Sequence, residues 1–570
     1  MKKALIILFI MVIPRIDTVY PQISRETRAV WVTTNIRLDW PPPTFNQDSQ
    51  KNALVEIFNN IKNKKLNTVY FQVRSSATVM FNSSFDPYSP YLTGEVGGIP
   101  SYDPLDLAIK SAHHRGLELH AWVNVIRCFS GEDGFIFNNS YHISKRKPEW
   151  VVEFKENGKS TYWLDPGLPE VREYLVALIV EMVKQYEIDG VHLDFLRYPG
   201  KNFDDVFSYG VYGNGLNRDD WRRNNLTLFV EELSRRIKSI KPYIKLGVTP
   251  IGIYRNLDGM NGWEGYNSVY QDTREWLQRK LIDYAVPQIY WSFDSNPKFD
   301  VLAKDWNDNS FGRNIILGIG AYKPEVMAQI ENIIDFSREI NSQGIAFFRY
   351  GFIKDYNFKS FEYRTFPSAM AWIDDIRPLP PIDLSYDILG YNPLVLSLVW
   401  NISEHSLEEN RIGYYSLYSL PETSSSFAPE NLFEVIEANN KNIALSIPKP
   451  GRVEYHFAVK SVDKTWNESS TSSNIVNVTI PELESLLQKY SVYNKPALIK
   501  RSDSIVKILL MANDNEEIEV SAGNSVYTKL LFSKKLLFGK NILSLDSALD
   551  GFTFIRIKYK LSGREVNLNL

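Results

Sequence analysis

The densest group of residues able to do chemistry lies in the stretch IDGVHLDFLRYP at residues 188–199. Apolar residues alternate with His192 and Asp194, which predicts a buried strand that turns both polar side chains to the same side. Arg197 and Tyr198 then follow in the loop. A carboxyl group held at a strand end can donate or accept a proton, or attack a substrate as a nucleophile.

Asp194 also has a structural interpretation, because an aspartate after a strand can cap the next helix or pair with Arg197. Inward carboxylates at the C-terminal ends of barrel strands usually belong to active sites. The functional interpretation is therefore favoured if the chain folds as a parallel barrel.

The elements that must position these residues alternate along the first 350 positions. Eight short apolar runs rich in β-forming residues are separated by helical patterns such as 171–186 and 228–240, with apolar residues three or four apart. Eight such units predict a (β/α)8 TIM barrel. An open doubly wound sheet is the rival fold, but no glycine-rich fingerprint follows the first run. The eight runs are 28–34, 68–73, 118–123, 190–196, 245–250, 284–290, 314–321 and 344–350.

Polar and aromatic residues follow most of these strands, at the end of the barrel where active sites form. Together they predict a cleft with hydrogen-bonding groups and aromatic walls, which suits an oligosaccharide or glycan strand. The predicted substrate-binding residues are Arg74, Trp122, Asn124, His192, Arg197, Tyr198, Gln288, Tyr290, Trp291 and Arg349. Other residues at the same strand ends are Thr33, Thr34, Gln72, Tyr322 and Tyr350.

Cleavage of an oligosaccharide bound in this cleft would usually need a second carboxyl group. The strands after the fourth end in LGVTPIG and VPQIYW and supply none, so the candidates lie in loops: Asp39, Asp165, Glu264 and Asp272. Asp39 and Glu264 rank first. The predicted catalytic set is therefore Asp194, Glu264 and Asp39.

Composition excludes several other functions. The net charge of −3 lacks the basic excess of a nucleic-acid-binding protein, whereas aromatic residues make up 13% of the chain and their flat faces suit sugars. His113, His114, His120 and His192 lack the spacing of metal ligands, so no metal and no other cofactor is expected. A Ser/His/Asp hydrolase is disfavoured because no Gly-x-Ser-x-Gly turn follows a strand.

The termini of the chain add expectations about export and domains. Lys2 and Lys3 precede the apolar run 4–13, which predicts a signal peptide over residues 1–20 and an exported protein of the periplasm or cell envelope. No membrane span is expected after its removal. The barrel is predicted over 26–377, and a proline-rich linker at 378–381 leads into strand-rich sequence. All-β sandwich modules are predicted there, at 382–482 and 490–570.

Six blocks of the first 300 residues resemble glycosyl-hydrolase-like family 10, a family of exported bacterial barrel proteins. They are RAVWVTTNIRLDWP, FDPYSPYLTG, YDPLDLAIKSAHHRGLELHAWVN, LDPGLPEVREY, IDGVHLDFLRYP and LIDYAVPQIYW. The resemblance spans about residues 26–375 and implies a TIM-barrel glycoside hydrolase acting on bacterial cell-wall glycan strands built from amino sugars.

Two weaker resemblances concern the tail and the mechanism. Residues 455–478, together with Trp400, resemble fibronectin type III domains, so the module at 382–482 is expected to be one. The Asp-Gly-x-x-x-Asp pattern ending at Asp194 resembles that of chitinases, which use the N-acetyl group of their substrate. Leu196 stands where their acid would be, so direct transfer of that mechanism is in doubt.

Two hypotheses follow. The first is an exported glycoside hydrolase that uses Asp194 and a loop carboxyl group. The second is a non-catalytic glycan-binding protein that keeps the aromatic cleft without a complete set of catalytic groups.

Overall fold

A computed structural model of the protein describes residues 25–569 with several short gaps. The predicted signal segment, residues 1–20, lies outside the described residues. The gaps are 132–133, 392–393, 404–410, 422–425, 448–453, 480–496, 503–504, 513–516, 525, 537–538, 546–548, 550–551 and 561–564.

The first part of the chain forms a ring of parallel strands, as the eight apolar runs predicted. Each strand pairs with the next. The last strand pairs with the first, with Gly344 opposite Thr27, and this pairing closes the ring. The fold is therefore TIM-barrel-like, and the predicted fold class is confirmed. The strands are β1 (Thr27–Val32), β2 (Thr68–Ser75), β3 (Glu118–Asn124), β4 (Gly190–Asp194), β5 (Lys245–Val248), β6 (Tyr284–Ala285 and Gln288–Ile289), β7 (Asn314–Ile315 and Leu317–Ile319) and β8 (Gly344–Phe347).

One main helix follows each of the first seven strands and packs its apolar face on the barrel. In the first of them, Leu54, Phe58 and Ile61 are buried at helical spacing, and the Asn46 side chain caps its start. The main helices are α1 (Gln47–Asn63), α2 (Pro104–His113), α3 (Pro169–Gln185), α4 (Arg218–Ile240), α5 (Thr273–Gln278), α6 (Phe299–Asp308) and α7 (Ile330–Glu339).

Short elements fill the connections between strands and helices. Single-turn and two-turn helices occupy Pro90–Thr93, Gly134–Phe137, Ile143–Arg146, Val206–Tyr212, Gly265–Ser268, Pro324–Met327 and Tyr350–Ile353. A three-stranded antiparallel sheet made of Arg127–Phe129, Val151–Glu156 and Lys159–Leu164 stands in the long β3–α3 connection, on the side of the barrel where the strands end. This connection therefore builds one wall above the strand ends.

Two antiparallel sheets follow the barrel and share one core that contains Trp400, Leu417 and Phe457. The strands of the first sheet are Pro381–Tyr391, Leu394–Ile402 and Asn442–Ile447. Those of the second, in spatial order, are Leu432–Glu437, Ile412–Leu420, Glu454–Asp463 and Val476–Thr479. This module is a β-sandwich, as predicted, and its assignment to the fibronectin type III class stays a prediction.

The last module repeats the same arrangement. Its strands, taken in chain order, form one sheet of the first, second and fifth and another of the fourth, third, sixth and seventh, as in the preceding sandwich. The two sheets enclose a core with Ile508, Val520 and Ile557. The strands are Ala497–Ser502, Ile505–Ala512, Glu517–Gly523, Thr528–Lys535, Gly539–Leu545, Phe554–Tyr559 and Glu565–Asn569. The sequence predicted a small all-β module here but not this repetition.

The first sandwich packs against the end of the barrel where the strands begin. Phe366, which follows the last barrel strand, lies 5.5 Å from the Trp466 ring in a shared apolar cluster. Glu434 forms ion pairs with Lys62 and Arg364 at the same end. The opposite end of the barrel, where the strands stop, therefore stays open. Among the helices of the described ranges, none combines the length and hydropathy required to cross a membrane.

Candidate active site

A cleft of about 200 Å³ opens at the C-terminal ends of the barrel strands. Every strand except β7 contributes a lining residue directly or through the segment that follows it. The lining residues are Trp31, Thr33, Asn35, Leu38, Gln72, Ser75, Ser76, Trp122, Asn124, Arg127, Phe129, Ser130, Asp194, Phe195, Arg197, Thr249, Gln288, Tyr290 and Phe348.

Asp194 ends β4 at the floor of this cleft and is only 5% exposed. Its Oδ1 accepts a hydrogen bond of 2.6 Å from the backbone N–H of Phe195 and lies 3.5 Å from Nη1 of Arg197. Burial raises the pKa of Asp194, and the Arg197 charge opposes this increase only in part. A carboxyl group with a raised pKa stays protonated further toward neutral pH and can donate a proton.

The residue after Asp194 reverses the chain. Phe195 has a φ of 51°, a left-handed conformation that is unusual for an aromatic residue. Its ring lies between two guanidinium groups, with the Arg197 Cζ 4.5 Å and the Arg127 Cζ 4.8 Å from the ring centroid. Phe195 thereby orients both arginines, which line the cleft beside Asp194.

Polar side chains on neighbouring strands form a connected wall. Gln72 Oε1 accepts hydrogen bonds from the backbone N–H groups of Thr34 at 3.0 Å and Asn35 at 2.8 Å, and its Nε2 lies 3.4 Å from Asn124 Oδ1. On the other side, Gln288 Nε2 donates to Thr249 Oγ1 at 3.3 Å. These groups present fixed donors and acceptors of the kind that bind sugar hydroxyls.

Aromatic rings complete the lining. Tyr290 stacks on Phe348 with ring centroids 5.6 Å apart, and Trp31 and Trp122 each contact Phe348 edge-on. Burial raises the pKa of the Tyr290 hydroxyl well above its usual value, and the Asp194 charge adds to this effect. Tyr290 therefore stays neutral and can donate a hydrogen bond inside the cleft.

His192 lies one layer deeper than Asp194 and does not line the cleft. Its ring stacks on Tyr70 at 4.0 Å, and its Nε2 accepts a hydrogen bond of 3.0 Å from the Trp31 indole N–H. Its Nδ1 lies 3.2 Å from the Tyr284 hydroxyl. Burial lowers the pKa of His192 well below its usual value, so a neutral His192 supports Trp31 from below.

The two loop carboxyl groups ranked first by sequence do not line the cleft. Asp39 accepts hydrogen bonds from the backbone N–H groups of Thr33 at 2.9 Å and Gly351 at 2.8 Å and pairs with Arg349. Glu264 accepts from the backbone N–H of Asn256 at 2.6 Å and from the Asn267 side chain. Both carboxyl groups join loop segments to each other in this structure.

The other two loop carboxyl groups are also held away from the cleft. Asp165 accepts hydrogen bonds from Ser208 Oγ at 2.6 Å and Gly167 N at 2.8 Å, and burial raises its pKa to about 6. Asp272 caps helix α5 and accepts a bond of 2.6 Å from the Tyr254 hydroxyl. Among the described residues, Asp194 is the one Asp or Glu that lines the cleft.

Besides His192, four predicted substrate-binding residues lie outside the lining. Arg74 is buried and pairs with Asp86 at 2.7 Å while donating to the Asn124 carbonyl at 2.5 Å, so it fixes the end of β3. The Tyr198 hydroxyl is buried against the Asn225 amide. Arg349 pairs with Asp39, and Trp291 lies under the Lys323 ammonium group, 5.7 Å from it.

The structure therefore brings together Asp194, Trp122, Asn124, Arg197, Gln288 and Tyr290 from the predicted set. Sequence reasoning did not single out Arg127, Thr249 or Phe348 as cleft residues, although Arg127 follows the predicted run 118–123 and the other two lie within the predicted runs 245–250 and 344–350. Alternation along β4 predicts that Phe195 points to the side opposite Asp194, but its left-handed backbone breaks the alternation and Phe195 lines the cleft. Across the described ranges, no three His, Cys, Asp or Glu side chains come close enough together to hold a metal ion.

A parallel barrel with an acidic residue at the end of β4 and an aromatic, amide-rich cleft above it defines a TIM-barrel-like protein with a candidate active site at its strand ends. Residues 26–337 match the family described as glycosyl hydrolase-like 10, and the chain belongs to this family.

Relatives in this family carry the name glycosyl hydrolase. The chain is 38% identical over 319 residues to the glycosyl hydrolase YngK of Bacillus subtilis, a match that covers 53% of this chain and 62% of YngK. It is 35% identical over 335 residues to the glycosyl hydrolase DigH of Escherichia coli K12, covering 54% of this chain and 76% of DigH. The chain thus spans less than two thirds of the length of YngK.

The chain also has a more distant similarity to a solved structure. The glycoside hydrolase domain of PgaB from Bordetella bronchiseptica aligns with 59% of this chain and 99% of its own length, at 13% identity and a TM-score of 0.43.

Proposed function

We propose that this protein is a glycoside hydrolase that cleaves cell-wall glycan strands containing N-acetylated amino sugars. The observation that carries the proposal is that Asp194 is the single carboxyl group, among the described residues, at the floor of an aromatic and amide-lined cleft. Membership of the glycosyl hydrolase-like family supports hydrolysis of a glycosidic bond. The choice of amino-sugar strands rests on the family resemblance and on the mechanism that one carboxyl group permits.

In the proposed mechanism Asp194 acts first as an acid. Its protonated carboxyl group donates a proton to the glycosidic oxygen, and the bond from that oxygen to the anomeric carbon breaks. The carbonyl oxygen of the N-acetyl group on the same sugar attacks the anomeric carbon and forms a cyclic oxazolinium ion. The substrate thus supplies the nucleophile that two-carboxylate enzymes provide from the protein.

Asp194 then acts as a base. Its carboxylate takes a proton from a water molecule whose oxygen attacks the anomeric carbon, which opens the ring and restores the N-acetyl group. The carboxyl group ends protonated and ready for another cycle. Two successive attacks at one carbon retain the anomeric configuration.

The neighbouring groups suit this sequence of steps. Burial favours the protonated carboxyl group at the start, while the Arg197 charge 3.5 Å away stabilises the carboxylate formed in the first step. Tyr290, whose hydroxyl stays neutral, can hold the acetamido group in place for attack. Gln288 and Asn124 can bind the hydroxyl groups of the same sugar.

The second candidate function is glycan binding without cleavage. It is favoured by the hydrogen bonds that occupy Asp39 and Glu264, which leave the two-carboxylate mechanism without a second group in the cleft. A binding protein would keep the aromatic walls and would need no proton transfer at Asp194.

The test measures new reducing ends released from isolated glycan strands. We expect Asp194→Asn to lower the rate by at least about 10³-fold, because the amide cannot transfer a proton. Asp308→Asn, at an exposed position at the end of α6, serves as the matched control and keeps the wild-type rate. Binding of the strands to the wild type without any cleavage would favour the second candidate. Wild-type turnover by Asp194→Asn would reject the assignment of Asp194.

A further inference from the structure

Two aromatic side chains beside the cleft are partly exposed to solvent. Tyr322, after β7, is 42% exposed, and Phe352, after β8, is 44% exposed. The Tyr322 ring meets Tyr290 edge-on at 5.9 Å and lies 6.2 Å from Phe352. Because Tyr290 lines the cleft, the three rings form a continuous strip, Tyr290–Tyr322–Phe352, that runs outward from the cleft.

Charged side chains hold this strip in place. The Arg349 guanidinium lies 4.7 Å from the Phe352 ring and is itself fixed by its ion pair with Asp39. The Lys323 ammonium group lies 5.9 Å from the Tyr322 ring. Exposed rings that are fixed by neighbours in this way are already ordered before a ligand binds, which lowers the entropic cost of binding.

A further exposed ring stands at a distant part of the rim. Trp263, in the loop after β5, is 51% exposed and lies 5.6 Å from the guanidinium of Arg197, the neighbour of Asp194. In the closed ring of strands β5 is three positions from β8. Exposed aromatic rings thus occur on two separated sides of Asp194.

We infer that Tyr322 and Phe352 bind sugar units beyond the one that is cleaved, so that the enzyme acts within long glycan strands rather than at their ends. The flat rings present apolar faces on which the C–H faces of sugars stack. The strip continues the cleft without a break, so its occupant is the same strand that passes Asp194. Trp263 would receive the strand on the other side. This inference rests on the proposed function.

The experiment compares a long and a short substrate. The ratio of kcat/KM on long glycan strands to kcat/KM on a chromogenic glycoside of one or two sugars is measured for the Tyr322→Ala/Phe352→Ala double variant. We expect this ratio to fall about tenfold, since two stacking contacts are lost only from the long substrate. The single variants should each show a smaller decrease, which guards against a folding defect of the double variant.

Phe311→Ala provides the matched control. Phe311 is 38% exposed and precedes β7, at the opposite end of the barrel from the cleft, so its replacement should leave the ratio at the wild-type value. An unchanged ratio in the double variant, or the same decrease in Phe311→Ala, would overturn the inference.

A binding measurement separates failure of this inference from failure of the proposed function. If the wild type cleaves neither substrate, the proposed function fails, and sedimentation with insoluble glycan strands then tests the strip alone. We expect the double variant to leave about tenfold more protein unbound than Phe311→Ala. Equal binding by the two variants would overturn the strip as a glycan site.

Discussion

Two buried carboxyl groups in the same barrel have opposite pKa shifts. Glu118 begins β3 at the closed end, where it pairs with Lys245 and lies 3.3 Å from His120 Nε2. Burial alone would raise its pKa, but the Lys245 charge and the His120 hydrogen bond lower it to about 2. Asp194 ends β4 at the open end, where burial raises its pKa and Arg197 compensates only in part.

The difference shows how a barrel separates stability from chemistry. Glu118 has its charge neutralised by close contact and is permanently ionised at neutral pH, so it serves the fold. Asp194 keeps a partner at 3.5 Å and can change its protonation state with the environment. The end of the barrel covered by the first sandwich thus holds Glu118, whose charge is paired, and the open end holds Asp194, whose protonation state can change.

Removing the cation that pairs with Glu118 should have the strongest consequence, a loss of stability. Lys245→Met leaves the Glu118 charge buried without its cation, so we expect the free energy of unfolding to fall by about 3–5 kcal/mol. Urea denaturation at neutral pH measures this change. The double variant Glu118→Gln/Lys245→Met should recover most of the loss, because it removes both charges together. A loss below about 1 kcal/mol in Lys245→Met would show that the ion pair does not neutralise Glu118.

An intermediate effect concerns the pH dependence of cleavage. Arg197 lowers the pKa of Asp194, so Arg197→Met should raise that pKa and keep the acid protonated to higher pH. The alkaline limb of kcat/KM should then move upward by about one pH unit. Arg197→Lys, which retains the charge, should leave the limb near its wild-type position. A downward shift in Arg197→Met would contradict the assignment of Asp194 as the acid.

Replacing Asp194 should change the free energy of unfolding only slightly. The raised pKa of Asp194 means that its ionised form is unfavourable in the folded state, so the contribution of the carboxyl group to stability is lost as the pH rises through that pKa. At neutral pH the free energy of unfolding of Asp194→Asn, measured in urea, should therefore be about 1 kcal/mol higher than that of the wild type. The advantage should vanish below the usual pKa of aspartate, about 3.9. A destabilised variant at pH 7 would contradict this account.

The sequence predicted the barrel well because hydrophobic periodicity is a local property of each run. Asp194, Trp122, Asn124, Gln288 and Tyr290 lie at the predicted strand ends and line the cleft, while their catalytic and binding roles stay predictions. Alternation placed His192 on the same inner side as Asp194, but it does not report depth. His192 lies one layer below Asp194, where the interior of the barrel is filled with packed side chains, and it therefore cannot reach the cleft.

The contacts of the loop carboxyl groups could not be predicted from local sequence patterns. Besides the nearby Thr33, the partners that fix Asp39 are Arg349 and Gly351, more than 300 positions along the chain, and no local pattern reports such distant contacts. The catalytic roles of Asp39 and Glu264 stay predictions, and their hydrogen bonds in this structure point to loop positioning instead.

If Asp194 works with the N-acetyl group of the substrate, removing that group alone should abolish most of the cleavage. Cleavage of one preparation of glycan strands should be measured before and after chemical removal of the acetyl groups, with the anomeric configuration of the initial product followed by NMR. We expect rapid cleavage with retention for acetylated strands and a rate about 10²-fold lower without the acetyl groups. Equal rates on both preparations, or inversion at the anomeric carbon, would contradict this mechanism.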